Sequence, residues 1–152
     1  MHLAQLNIGK IKYPLEDPRM AEFVENLVRI NALAETMPGF VWRLKDESGN
    51  ATHIPAFDDP AIIVNMSVWE SVEAFKEYVY KSDHSDFLRR RHLWFERLMP
   101  YMVMWWIPVG HVPTVEEAKA RLVHLENHGE TAHAFTFRQL FEPENSIGEF
   151  NG

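Results

Sequence analysis

The chain has 152 residues, 46% of them hydrophobic, which suffices for one domain with a buried core and falls short of two. A net charge of −7 works against a surface that tracks nucleic-acid phosphates. The absence of cysteine excludes disulfides, thiolate nucleophiles, zinc–thiolate sites and cysteine-ligated clusters.

The basic run Arg89-Arg90-Arg91 does not restore a nucleic-acid reading, because successive helical residues point about 100° apart and share no face. No apolar run reaches the roughly 18 residues that cross a bilayer. The longest, Leu98 to Val109, is interrupted by Pro100 and Pro108. Gln5 and Asn7 sit inside the first apolar stretch, which lacks the basic-then-apolar order of a secretory leader, so the expected compartment is cytoplasmic, with no membrane partner.

Residues 2–9 alternate Ala4, Leu6 and Ile8 with Leu3, Gln5 and Asn7, the pattern of a strand with one polar face. Asp17 before Pro18 predicts a helix start. Met20, Phe23, Val24, Leu27, Ile30 and Leu33 continue at helical spacing to a stop at Met37-Pro38-Gly39. A strand is expected from Phe40 to Lys45, then turn chemistry at Asp46-Glu47-Ser48-Gly49-Asn50 and a loop over Thr52 to Pro60.

From Ala61 to Trp69 the period is two; after Ser71, a plausible N-cap, it becomes about 3.6, a strand running into a helix. Lys81-Ser82-Asp83 divides the helical stretch, with Ser82 or Asp83 capping a second piece that is expected to run on to Leu98. Tyr101 to Ile107 is apolar on both sides, so both faces of that strand need covering. Thr114-Val115-Glu116-Glu117 fits a capping box opening a helix to His128-Gly129. A last strand is expected over Ala134 to Phe141, with a poorly ordered tail beyond.

The order predicts an α+β domain over residues 1–141 with a tail over 142–152. Its core is ferredoxin-like βαββαβ with an extra C-terminal helix and strand. Helices cover one face of such a sheet, and a second copy is expected to cover the other, giving a homodimeric α/β barrel.

Ser67-Val68-Trp69-Glu70-Ser71, followed by Glu73-Ala74-Phe75 and His84, resembles the dimeric α/β-barrel proteins related to antibiotic-biosynthesis monooxygenases. QLNIG, FVWRL, NMSVWES, RRRHLWFER, WWIPVGHVPT and AFTF together resemble an uncharacterised domain-of-unknown-function family within that superfamily, over nearly the whole chain to about Phe141. The resemblance implies a dimer with a small-molecule pocket between sheet and helices in each subunit. It also implies one of three functions: a cofactor-independent monooxygenase acting on an aromatic or polyketide-type substrate, a haem-binding or haem-degrading protein, or a non-catalytic ligand-binding dimer. In haem-degrading members an asparagine on the first strand, a tryptophan ending the third and a helical histidine form the site. Asn7 and Trp69 match the first two, while Arg89 falls at the third, between His84 and His92, and arginine is not a usual iron ligand.

Alternation puts Asn65, Ser67 and Trp69 on one face of their strand, as Gln5 and Asn7 are on theirs, so pairing would form a polar floor, lining either a pocket or solvent. His84, Leu88, Arg91 and Phe95 form one helical stripe. His84 is the candidate proton-transfer group, its alternative being a surface hydrogen bond near the helix start. Arg91 is the candidate anchor for a carboxylate or enolate oxygen, or else a partner for an acid such as Glu70. Trp94, Tyr80 and Trp105 are candidate walls, Trp105 and Trp106 pointing to opposite faces so that at most one lines a given cavity, and His111 is a candidate at the pocket mouth. His124 and His128 stand four apart, yet the intervening residues match no zinc-protease helix, and no metal site is expected.

Overall fold

β1 (His2–Ile11) is the middle of the sheet in the computed structural model, which describes residues 1–45, 57–82 and 84–143. On one side it pairs antiparallel with β3 (Ile62–Trp69), setting Leu3 opposite Trp69 and Asn7 opposite Asn65. On the other it pairs with β5 (Met102–Ile107), Asn7 opposite Met102, and, at Lys10 and Ile11, with the two-residue β4 (Phe95–Glu96). β2 (Phe40–Arg43) joins the outer edge of β3 with a register shift between Phe40 and Trp42. With α1 (Ala21–Thr36) and α2 (Val72–Lys81) as the crossovers, the order β2-β3-β1-β5 with every pair antiparallel is the ferredoxin-like arrangement.

Local chemistry sets most element ends. Asp17 accepts from the Arg19 amide ahead of Pro18, although the turn it opens is 3-10 over Pro18–Met20 before α1 begins. Ser71 accepts from the Ala74 amide at 3.1 Å to open α2. Ser82 accepts from the His84 amide at 3.1 Å to open α3 (His84–Arg90). Thr114 accepts from the Glu117 amide at 3.1 Å to open α4 (Val115–His128), which stops at Gly129 with φ of 73°.

Two expectations change. The second helical piece does not run to Leu98: α3 ends at Arg90, tightens into a 3-10 turn over Arg91–Leu93 and becomes β4, whose pairing with β1 takes the backbone bonds a longer helix would need. Residues 134–141 form no full strand. Met104 and Phe135 exchange one pair of backbone bonds, at 2.7 and 3.0 Å, and the flanking residues turn back on themselves through Thr131–Ala134 and Thr136–Gln139. The turn expected at 46–50, Asp83 as an alternative cap, and the tail from 144 onwards lie outside the described residues.

The two faces of the sheet are covered differently. One carries Ala4, Leu6, Ile8, Val64, Met66, Val68, Val103, Trp105 and Ile107, all buried, against Ala118, Leu122 and Leu125 of α4, with Leu44 and Phe57 packed alongside. The covering expected from a second copy therefore comes from the chain itself, and the argument for self-association loses that basis. The other face carries Leu3, Gln5, Asn7, Asn65, Ser67, Trp69 and Met104 and looks toward α1, α2 and α3. No helix among the described residues is long and apolar enough to cross a membrane.

Candidate functional site

Between that second face and the helices lies a cavity of about 150 Å³. β1 contributes Asn7 and Gly9, β3 Asn65, α1 Phe23 and Asn31, and α2 Phe75 and Tyr78. His84, Leu88, Arg91 and Phe95 all line it. The stripe read as one helix thus survives the change from α3 through a 3-10 turn into β4, because each step still advances the chain along the same wall.

The floor is a network fixed from behind. Gln5, 1% exposed, donates from Nε2 to Asn65 Oδ1 at 2.9 Å and to Ser67 Oγ at 2.7 Å. Asn7 Nδ2 donates to Gln5 Oε1 at 3.1 Å and more weakly to Asn65 Oδ1 at 3.4 Å. These bonds occupy the Asn7 amide nitrogen and the Asn65 amide oxygen, leaving the Asn7 Oδ1 acceptor and the Asn65 Nδ2 donor for the cavity. The floor expected from strand alternation is present and ordered.

His84 is half-buried. Its ring packs against Tyr78 with centroids 4.8 Å apart, and Nδ1 lies 3.4 Å from the Val79 carbonyl oxygen. Burial lowers its pKa, the Val79 carbonyl acts the other way, and the Arg91 charge adds to the lowering. Near neutral pH the imidazole is uncharged. With the proton on Nδ1 held toward Val79, Nε2 is a free lone pair, the form a general base needs.

Arg91 does not pair with Glu70. Its guanidinium carbon lies 4.2 Å from the centroid of Tyr101 and 5.4 Å from that of Phe95, and burial lowers its pKa with Tyr101 opposing. No carboxylate among the described residues is within ion-pair distance of it. The neighbours differ: Arg89 pairs with Asp86 at 3.2 Å, and Arg90 pairs with Asp86 at 2.7 Å and with Glu22 while lying over Trp94.

Aromatic rings close the remaining sides. Phe23 packs edge-on to Phe95 at 5.2 Å and tilts against Trp94 at 5.6 Å, so Trp94 is the wall expected of it. Phe137 stacks on Phe75 at 5.6 Å and meets Tyr80 at 5.4 Å. Burial raises the Tyr80 pKa, keeping the phenol neutral.

Four expected site residues lie elsewhere. Ser67 sits beneath the floor, accepting from Gln5 and, at 2.9 Å, from Trp69 Nε1. Trp69 is wholly buried among Phe40, Phe75 and Tyr78, because the strand end that carries it runs under α2 rather than beside the cavity. Trp105 points to the α4 face, where its indole donates to Glu117 at 2.8 Å. His111 Nε2 lies 2.7 Å from the other Glu117 oxygen on an exposed loop, where it braces the start of α4. His124 packs its ring 4.4 Å from both His128 and His133, and no group of three metal-type ligands among the described residues is arranged to hold an ion.

Several lining residues escaped the sequence reading. Asn31, 5% exposed, is a polar residue set within the apolar stripe of α1, a detectable signal. Gly9 lies so close to the Phe95 ring that a Cβ placed there would be 2.6 Å from it. Phe137 is brought in by the bridge at Phe135, and Tyr101 by the chain reversal into β5, which no local pattern announces.

A family model described as a domain of unknown function, DUF3291, matches residues 2–149. No curated protein matches significantly. Among solved structures, the chain is similar to a protein of unknown function from Nitrosomonas europaea at TM-score 0.49 and 11% identity, covering 74% of this chain and 95% of that one. It is also similar to a putative antibiotic biosynthesis monooxygenase from Chloroflexus aurantiacus at TM-score 0.44 and 19% identity, covering 74% and 98%. A Streptomyces coelicolor monooxygenase in complex with nanaomycin D gives TM-score 0.44 and 19% identity, covering 74% and 92%. The strand order of this chain carries the fold assignment by itself.

Proposed function

Because the chain belongs to the DUF3291 family, a domain of unknown function, we propose a role from the cavity's own chemistry: a small-molecule enzyme of the cofactor-independent monooxygenase kind. The observation that carries this reading is the shared wall of His84 and Arg91, an uncharged imidazole beside a guanidinium without a carboxylate partner among the described residues. His84 Nε2 takes a proton from an acidic carbon or phenol of an electron-rich aromatic substrate. Arg91, Asn65 Nδ2 and the aromatic walls stabilise the anion so formed. Such an anion reduces O2 directly. Exchange of a ring CH2 for C=O, or of a phenol's O–H and a neighbouring ring C–H for the two C=O groups of a quinone, consumes one O2, releases one water and needs no other reductant.

Haem fits poorly. About 150 Å³ is below the roughly 300–1,000 Å³ of ordinary ligand pockets. Trp69 is packed away from the space, and Arg89 is paired with Asp86. No step is routed through iron. Size-exclusion chromatography with light scattering tests whether two copies associate.

The test is oxygen uptake with a panel of electron-rich phenols and anthrone-type compounds, wild type against His84→Gln. The expected result is turnover that falls by about 10²–10⁴ in kcat/KM in the variant. Saturable binding without turnover would favour a non-catalytic ligand-binding protein, and a Soret band on titration with hemin would favour the haem reading.

A further inference from the structure

We infer that the compound this cavity accepts is a monocyclic aromatic carboxylate of the hydroxybenzoate class, its carboxylate on Arg91 and its ring between the aromatic walls. The inference rests on the reading of the cavity as a small-molecule site and adds charge, size and shape to it.

Charge is the first argument. The protein carries a net −7, yet none of the described residues lining the cavity is acidic. Among the described lining residues Arg91 is the one charged side chain when His84 is neutral. A partly buried guanidinium is costly unless its donors are satisfied, and most such groups are paired. Its half-buried neighbour Arg90 pairs with Asp86 and Glu22, although its Nε is left without a hydrogen-bond partner. Arg91 has no such carboxylate among the described residues, and an anion in the cavity would supply one. The Arg91 guanidinium carbon lies over the Tyr101 and Phe95 rings, and a carboxylate entering the cavity can be received by two parallel N–H···O bonds.

Size is the second. A cavity of about 150 Å³ matches the volume of an engineered apolar cavity that takes up benzene. One ring fills it, and a fused tricycle leaves most of its body at the mouth. Phe23, Phe75, Phe95 and Trp94 supply flat apolar walls for that ring.

The floor is the third. Asn7 Oδ1 accepts and Asn65 Nδ2 donates, a pair that a hydroxyl answers with one proton and one lone pair. A ring hydroxyl is therefore favoured over a hydrogen or a second carboxylate.

The experiment is titration of the full chain with 4-hydroxybenzoate, followed by isothermal calorimetry and by tryptophan fluorescence, with 4-hydroxybenzamide as the neutral isostere, benzoate as the hydroxyl-less form and phenol as the carboxylate-less one. At pH 7.5 the expected result is that 4-hydroxybenzoate binds at least tenfold more tightly than its amide and raises the melting temperature. Arg91→Met should bring acid and amide within about threefold of each other, and Arg91→Lys should keep part of the preference. An amide that binds wild type as tightly as the acid overturns the inference without any variant, as does an Arg91→Met protein of unchanged melting behaviour that keeps the tenfold preference. If phenols are bound or turned over while carboxylates are excluded, the inference fails and the enzyme reading stands. If no aromatic compound binds, both fall.

Discussion

The two faces of one sheet have been put to opposite uses. Alternation along β1 sends Ala4, Leu6 and Ile8 to one side, where they meet α4 with no polar partner to satisfy, and Gln5 and Asn7 to the other. The α4 face is filled by Trp105, Met66 and Leu122; the helical face stops short of filling and leaves a chamber with a hydrogen-bonded floor and a cation that has no carboxylate partner among the described residues. Stability is concentrated where packing is complete. The other side tolerates incomplete packing, the usual cost of keeping room for a ligand.

That contrast can be broken by truncation. Trp105→Ala removes a wholly buried indole from the filled face and one of the hydrogen-bond partners of Glu117, so a loss of about 3–5 kcal/mol is expected in urea unfolding, with ligand affinity of the remaining folded fraction unchanged. On the chamber face the effects shrink. Gly9→Ala pushes the Phe95 ring into the cavity, and overpacking of about 1–3 kcal/mol is expected, measured by the same unfolding, together with weaker binding of any ring-sized ligand. Gln5→Leu leaves Ser67 and the floor amides without their common donor, an expected cost of about 1–3 kcal/mol. Arg91→Met is expected to leave the melting temperature equal or higher, since it replaces a charge without an ion-pair partner by an apolar side chain of similar length.

The smallest expected effect is on pH dependence. Burial lowers the pKa of His84 and of His133 from the ordinary 6.5, so the unfolded chain binds more protons than the folded one below that value. Stability is complete above about pH 6.5 and declines as the pH falls through the folded values. His84→Gln should flatten part of that decline and His133→Gln another part, as read by thermal melts between pH 5 and 8.

Much of this was legible in the chain. Period-two alternation located the core strands and the polar floor, and Ser71, Ser82 and Thr114 announced their helices. The spacing of His84, Leu88, Arg91 and Phe95 put them on one wall even though the helix assumed for them ends at Arg90. The sequence was weakest where position depends on distant partners. Ser67 and Trp69 share the polar side of β3 with Asn65, but alternation does not say where along the strand the chamber ends, and it ends before them. Trp105, expected as a cavity wall, lies on the face that α4 covers, and alternation alone does not say which of the two faces keeps the chamber. Phe137 and Tyr101 reach the chamber through a single bridge and a chain reversal, neither of which has a local signature.

Trp69 has a use of its own. Its indole N–H is anchored to Ser67 beneath the floor, and its ring stacks at 5.2 Å on Tyr78, which in turn touches His84. It is thereby wired to both halves of the chamber while remaining out of reach of whatever enters. In a variant whose other four tryptophans are phenylalanine, the emission of this one residue becomes an internal lamp whose brightness follows imidazole protonation and ligand arrival without being touched by either.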